Sequence, residues 1–217
     1  SAVAFVDSAA AAPAIEMFSI AQLVAPGTVE ARPTQPSFLY LPADAEMKPE
    51  QLALPWGAEN GVVGELARNH GWQVPMRLVS SAKSWLCHPG VDRSAPILPW
   101  RGVVDADEAE AGEAEAEGGG RISPVEASAR YLAHVRKAWD AVHRDDPLAE
   151  QEVFLTVPAS FDEVARALNR GEIGQIVVVG VRVAHKSAFF HQQFPRMHRG
   201  AIAAIPPPGA LTDRVLE

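Results

Sequence analysis

Cysteine is almost absent from this sequence, and Cys87 is the single example among 217 residues. One thiol cannot form an internal disulfide and provides no thiolate cluster for a zinc ion. An excess of basic residues is missing too, since the formal net charge is −8 at pH 7. Surfaces that bind nucleic acid are usually basic, so this charge argues against a nucleic-acid partner.

Long hydrophobic runs are also missing. No stretch approaches the roughly 18 apolar residues that a membrane-spanning helix requires. The best candidate, residues 173–184, is interrupted by Gln175, Gly180 and Arg182. The first six residues are mostly apolar but lack the basic region of a secretory signal. We therefore expect no membrane partner and a cytoplasmic location.

Large apolar side chains disappear altogether between Asp105 and Gly120, where Asp, Glu, Ala and Gly make up the whole segment. Such a segment buries too little surface to offset the entropy that is lost on ordering. It therefore predicts a disordered surface loop. An acidic metal site is the alternative, but nothing in the spacing fixes the carboxylates in a coordination geometry, so we expect no metal site.

The rest of the composition is that of a globular protein, and its most ordered pattern lies at Glu152–Leu168. The apolar run Val153–Val157 predicts a buried central strand. Pro158 ends this strand because proline has no N–H for a ladder. Ser160 and Glu163 predict the capping box of a helix that follows. A strand that enters a helix through a proline turn predicts an α/β fold.

The strongest helix pattern follows Ser123, which predicts an N-cap, with proline at the first helical position. Glu126 is spaced to complete a capping box. An apolar stripe at helical spacing is formed by Val125, Ala129, Leu132, Val135, Trp139 and Val142. His134 and His143 share no metal-ligand spacing, and we interpret both as residues of the helix surface.

The N-terminal half predicts shorter elements. Residues 1–7 and 14–21 predict the two strands of a hairpin, and residues 61–68 predict a strand that leads into a short helix. Arg32–Pro42 predicts a strand bounded by prolines, and an edge strand is one interpretation of it. Residues 77–86 predict a helix with its apolar face formed by Leu78, Ala82, Trp85 and Leu86.

Lys83 lies beside the apolar face of this helix rather than opposite it. From residue type alone, a solvated surface lysine is the favoured interpretation. Cys87 and His88 follow directly, and such a pair is found in nucleophilic catalysis. No motif places a third residue of that kind, so we interpret Cys87 as a helix-end residue and His88 as a loop residue.

Several segments resemble, in order, the nucleotide-binding domain of the DnaK-type 70-kDa heat-shock chaperones. Leu155-Thr-Val-Pro-Ala-Ser-Phe-Asp-Glu-Val-Ala-Arg166 is similar to I/L-T-V-P-A-x-F-x-D/E-x-x-R. Ile122-Ser-Pro-Val-Glu-Ala-Ser128 is similar to I-S-P-E-E-I/V-S. Shorter similarities are at Pro36-Ser-Phe38, at Gly61–Arg68 and at Ala82-Lys-Ser-Trp-Leu86, where Ser84 replaces the arginine of the family pattern.

This resemblance implies an α/β fold of the actin-like ATPase (ribonuclease H-like) type, as an incomplete lobe over residues 1–168. It implies ATP and Mg²⁺ as cofactors, with unfolded polypeptide clients and co-chaperones as partners of the full-length parent. Lys83 takes the place of the family lysine near the γ-phosphate, and so becomes the candidate catalytic residue. Ser1 takes the place of the residue that follows the first phosphate loop, and so becomes a candidate cofactor-binding residue.

The resemblance stops at about Leu168, and residues 169–217 show none, although Gln175–Val183 predicts a strand. Neither phosphate loop of the family is present in the 217 residues. We therefore expect a fragment of an ATP-dependent chaperone that is inactive by itself, with a tail that is either natural or frameshifted. Another actin-like ATPase, such as a sugar kinase or filament protein, and a non-enzymatic interaction module are the alternatives.

Overall fold

The computed structural model describes residues 1–7, 9–88, 90–100, 120–156 and 202–204. In these parts of the chain, small antiparallel sheets combine with three α-helices, so the fold is mixed α/β. The α/β class predicted from the sequence is confirmed at this level.

The helices and strands have the following bounds. The helices are α1 (Glu65–Gly71), α2 (Ala82–Trp85) and α3 (Pro124–Val142), with 3-10 turns at Pro49–Gln51, Pro75–Arg77 and Leu148–Glu150. The strands are β1 (Val3–Val6), β2 (Ile15–Phe18), β3 (Ile20–Ala25), β4 (Thr28–Arg32), β5 (Leu39–Tyr40), β6 (Ala53–Leu54), β7 (Gly57–Ala58), β8 (Val62–Val63), β9 (Leu78–Val79), β10 (Phe154–Thr156) and β11 (Ile202–Ala204).

The predicted N-terminal hairpin is confirmed. β1 pairs antiparallel with β2, and Val3 lies opposite Phe18. The second predicted strand is divided at Ser19, after which β3 pairs with β4 instead of continuing the hairpin. The chain therefore uses the 14–21 segment in two different sheets.

The proline-bounded segment contributes β5, which is the central strand of a three-stranded sheet in the order β8-β5-β9. The edge-strand interpretation is therefore wrong. Pro36 and Pro42 flank β5 without interrupting it, so both of its edges keep the groups that a ladder needs. Leu39 and Tyr40 are fully buried there.

The predicted strand and short helix at residues 61–68 are confirmed as β8 and α1. They meet at Gly64, whose φ of +97° favours glycine. The Gln22 side chain locks this corner, since its Oε1 accepts from the Glu65 N–H at 3.0 Å and its Nε2 donates to the Thr34 carbonyl at 2.9 Å. A Cβ at position 64 would lie 2.5 Å from Oε1 of Gln22.

The predicted helix over residues 77–86 is mostly wrong. Leu78 and Val79 form β9, which pairs antiparallel with β5, and only Ala82–Trp85 is helical. The buried edge of β5 takes these two apolar residues as a strand, because pairing there satisfies backbone groups that would otherwise lie buried without partners. The α-helix that carries Lys83 is consequently a single turn.

The long helix predicted from Ser123 is confirmed as α3. The Ser123 hydroxyl accepts from the Glu126 N–H at 3.0 Å, as an N-cap does. The reciprocal half of the capping box is not made, since the Glu126 carboxylate pairs with Arg130 at 2.7 Å. The apolar stripe packs inward except at its end, where Val142 is 64% exposed.

α3 packs against the N-terminal strands through Trp139, which is buried. The Phe5 ring meets it edge-on at 5.4 Å and the Phe18 ring lies at 5.1 Å. His143 stacks on the same indole at 3.9 Å. His134 faces inward as well and is only 2% exposed, so its interpretation as a surface residue is wrong.

β10 confirms a strand within Val153–Val157, and it pairs antiparallel with β11 from the tail. The described part of this sheet has only these two strands, so the prediction of a central strand is not confirmed. The capping box at Ser160, the helix to Leu168 and the strand at Gln175–Val183 lie outside the described residues. The same holds for the acidic segment apart from Gly120. Among the described residues, no helix is both long and apolar enough to cross a bilayer.

Candidate functional site

The short helix α2 places Lys83 at the edge of the core. Ala82 and Leu86 on this turn are buried, and Ala82 belongs to the cluster that includes Leu39 of β5 and Tyr131 of α3. Lys83 follows Ala82 and is half-buried. The packing of Ala82 therefore fixes the direction in which the Lys83 side chain leaves the helix.

The Lys83 side chain reaches the first residue of the chain. Its Nζ lies 3.4 Å from Oγ of Ser1, in a contact that joins residues 82 positions apart. Ser1 is held in turn by Gln35, because the Gln35 N–H donates to the Ser1 carbonyl at 2.8 Å. The Ser1 nitrogen donates back to the Gln35 carbonyl at 2.5 Å. The two residues selected from the sequence, Lys83 and Ser1, thus lie together.

The electrostatics of this position are unusual for a lysine. Lys83 makes no ion pair with any carboxylate of the described residues, whereas Arg130 and Lys137 each have one. Burial lowers the pKa of Lys83 below its usual value of 10.5. In the 217-residue polypeptide, burial and then the Lys83 ammonium lower the pKa of the Ser1 amino group to about 6. A half-buried cation without a counter-charge is a position where an anion binds favourably.

Gln35 is the residue of this group that the sequence analysis missed. It is 1% exposed, and neither Nε2 nor Oε1 of its side chain has a hydrogen-bond partner in the described residues. It sits in a proline-rich stretch whose pattern predicts a strand and nothing more. No local signal separates a buried glutamine from a solvated one, since its burial depends on pairing with Ser1.

Cys87 and His88 form no catalytic pair in the described structure. The Cys87 thiol donates to the Lys83 carbonyl at 3.4 Å, which is a bond at the end of a helical turn. The His88 ring lies against Trp85 at 5.8 Å. The interpretation of Cys87 as a helix-end residue agrees with this geometry.

A second polar cluster lies away from Lys83. The Tyr40 hydroxyl donates to the Glu46 carboxylate, which also accepts from the Ala43 N–H at 2.7 Å and lies 3.3 Å from Nε2 of His70. Burial is the largest effect and raises the pKa of Glu46, but these hydrogen bonds and the Arg77 charge together outweigh it, so the net shift is downward. The carboxylate joins its own loop to Tyr40 of β5 and His70 of α1, which is a structural role.

The donor set around Lys83 fits one part of an ATP–magnesium complex. An ammonium and a hydroxyl suit phosphoryl oxygens. In the described parts of the chain, no group of three or more His, Cys, Asp and Glu side chains is placed to hold a metal ion. Residues for the magnesium ion are therefore not assigned.

Comparison of the chain with protein-family models, with curated proteins and with solved structures gave no match.

Proposed function

We propose that this chain is part of an ATP-driven molecular chaperone of the DnaK type, with residues 1–168 folded as an incomplete actin-like ATPase lobe. The cofactors of the full-length parent are ATP and Mg²⁺, and its partners are unfolded polypeptide clients and co-chaperones. The order of the similar segments, from Pro36-Ser-Phe38 to Leu155–Arg166, supports the proposal.

The observation that carries the proposal is the contact between Lys83 and Ser1. Both residues were selected because they match family positions around the phosphates of ATP, and they are 82 positions apart. Their side chains nevertheless meet at 3.4 Å. A chance similarity gives no reason for these two side chains to converge.

The role of Lys83 follows from its charge and its surroundings. In phosphoryl transfer, charge spreads over the oxygens of the transferred group, and a fixed cation stabilises it. Lys83 presents an ammonium that the described carboxylates do not neutralise, and partial burial strengthens its field. The Ser1 hydroxyl holds the ammonium in place from one side.

The first experiment measures release of radioactive phosphate from ATP–Mg²⁺ by the 217-residue polypeptide. We expect no steady turnover, because the sequence contains neither D-L-G-T-T-N nor D-x-G-x-G-T to cradle the phosphates. Steady turnover that is lost in Lys83→Met would contradict the inactive-fragment part of the proposal.

The second experiment determines the coding sequence that flanks this chain, for about fifty residues on each side. The proposal expects a glycine-rich phosphate loop upstream. If the longer protein hydrolyses ATP, Lys83→Met lowers kcat by about two orders of magnitude. Lys48→Met, the same change at an exposed lysine, leaves kcat unchanged. Equal activity of the Lys83→Met and Lys48→Met proteins would remove the catalytic role of Lys83.

A non-enzymatic interaction module is the second candidate, and exposed apolar side chains favour it. Trp72 is 65% exposed beside Phe38, and Met76 nearby in sequence is 54% exposed. Light scattering with and without ATP–Mg²⁺ separates the two functions. An oligomer whose size is the same with and without ATP–Mg²⁺ favours the interaction module.

A further inference from the structure

The buried carboxamide of Gln35 has no hydrogen-bond partner among the described residues. The residue is 1% exposed, and both polar atoms of the side chain lack a hydrogen bond in the described chain. Gln22, the other fully buried glutamine, satisfies both of its polar ends. Burying an amide without hydrogen-bond partners destabilises a protein, so the position of Gln35 indicates a partner from outside this set of residues.

The backbone shows where the Gln35 side chain lies. Ser1 and Gln35 exchange two backbone hydrogen bonds, each nitrogen donating to the carbonyl of the other residue. This reciprocal exchange defines a directly opposed antiparallel pair. Side chains of such a pair stand next to each other on one face. The Ser1 hydroxyl on that face contacts Lys83, so the Gln35 side chain leaves the backbone on the face where this contact lies.

The three side chains together are rich in donors. An ammonium has three N–H donors and a carboxamide has two, whereas the carboxamide oxygen and the hydroxyl are the acceptors. The Ser1 hydroxyl uses one donor of Lys83. The remaining N–H donors of Lys83 form no ion pair with a carboxylate of the described residues. Such a set selects a ligand with several acceptor oxygens and negative charge.

We propose that Gln35, together with Lys83 and Ser1, forms an oxyanion site in which the Gln35 carboxamide binds a phosphate oxygen. The ligand class is tetrahedral phosphate, either free or as the terminal phosphoryl group of a nucleotide. This deepens the proposed function and rests on it for the nucleotide as the source. Gln35 is thereby a binding residue that positions the phosphoryl group against Lys83.

One consequence separates this role from a structural one. A buried amide that binds a ligand destabilises the ligand-free protein, because its polar groups then have no hydrogen-bond partner. Gln35→Met has nearly the same shape and removes the unpaired groups. The free variant should melt about 2–4 °C higher than the wild type, although it loses the ligand.

The test is a titration of the ¹⁵N-labelled 217-residue protein with inorganic phosphate, against sodium chloride at equal ionic strength. We expect saturable shifts of the Gln35 side-chain amide signals. Gln35→Met and Lys83→Met should each weaken phosphate binding by about tenfold or more. The matched control is Gln73→Met, the same change at an exposed glutamine, which should leave both binding and melting temperature unchanged.

A parallel titration with ATP–Mg²⁺ separates the inference from the proposed function. Phosphate binding that needs Lys83 but is unchanged in Gln35→Met overturns the role of Gln35. So does a lower melting temperature of the free Gln35→Met protein. If ATP binds only when Lys83 is present but inorganic phosphate does not bind, the oxyanion site is refuted and the proposed function still stands. If inorganic phosphate binding requires both Gln35 and Lys83 but ATP does not bind, the result supports the oxyanion site and counts against the proposed ATPase function.

Discussion

Ser81 shows how a single residue sets up the candidate site. Its φ is 56°, in the left-handed region, and it directly precedes α2. For a residue other than glycine this conformation costs about 1–2 kcal/mol. The turn lets the chain leave β9, which is paired with β5, and enter the helical turn that carries Lys83. The strain therefore lies two residues from the ammonium on which the proposed function depends.

Replacement of Ser81 by glycine should stabilise the protein. Glycine adopts the left-handed conformation without strain, but it loses about 0.5–1 kcal/mol through its greater freedom in the unfolded chain. The net gain in the free energy of unfolding should be about 0.5–1 kcal/mol, measured by urea denaturation. The control is Ser80→Gly, since Ser80 has no positive φ and should lose stability instead. The same sign for both variants would refute the argument.

At the scale of elements, α3 organises the described fold. One part of this helix packs on the N-terminal strands through Trp139, and another packs on the three-stranded sheet through Tyr131. α2 rests on the same second cluster through Ala82. The position of Lys83 therefore depends on α3, although α3 carries none of the three residues of the proposed site.

The N-cap of α3 provides a test at this scale. Ser123→Ala removes the acceptor for the Glu126 N–H and should lower the free energy of unfolding by about 1 kcal/mol. Ser123→Asp keeps an acceptor and places a negative charge at the positive end of the helix dipole, so its stability should stay close to that of the wild type. Denaturant titration measures both. Equal stability of the Ala and Asp variants would show that the cap contributes nothing.

At the scale of the whole molecule, His134 joins α3 to β3. Its Nε2 lies 2.8 Å from the Ala21 carbonyl, and its ring meets Trp56 edge-on at 5.0 Å. Burial is the largest effect and lowers the pKa of His134. The Ala21 carbonyl and Glu59 oppose this shift, whereas Lys137 adds to it.

The stability of the molecule should therefore fall in mild acid. The unfolded chain binds a proton at His134 near pH 6.5, whereas the folded chain binds it only at lower pH. Stability is thus complete above about pH 6.5 and is lost as the pH falls from there toward the lowered pKa. Urea unfolding between pH 8 and pH 5 measures this slope.

His134→Gln is the matched variant for the pH dependence, since glutamine keeps a donor for the Ala21 carbonyl but does not titrate. The Ser1 amino group, with a pKa of about 6, titrates in an overlapping range. The test is therefore the difference between the two proteins at each pH. A difference that does not change between pH 7 and pH 5 would exclude His134 as the cause.

The sequence by itself determined the elements whose signals are local. Ser123, Pro124 and the stripe from Val125 to Trp139 specify α3, because capping and helical periodicity act within four residues. The hairpin of β1 and β2 and the strand at Phe154 are local in the same sense. Lys83 and Ser1 were also selected from the sequence, through short motifs that resemble those of a known family.

Only the tertiary structure decided the features that depend on distant pairing. Leu78 became a strand because β5 presented a buried edge, and His134 turned inward because β3 supplied the Ala21 carbonyl. Gln35 was buried by pairing with Ser1, 34 residues away. Propensity and periodicity describe a residue and its neighbours along the chain, whereas these outcomes depend on which segment arrives beside it. The proposed oxyanion site, built from residues 1, 35 and 83, belongs to the second kind.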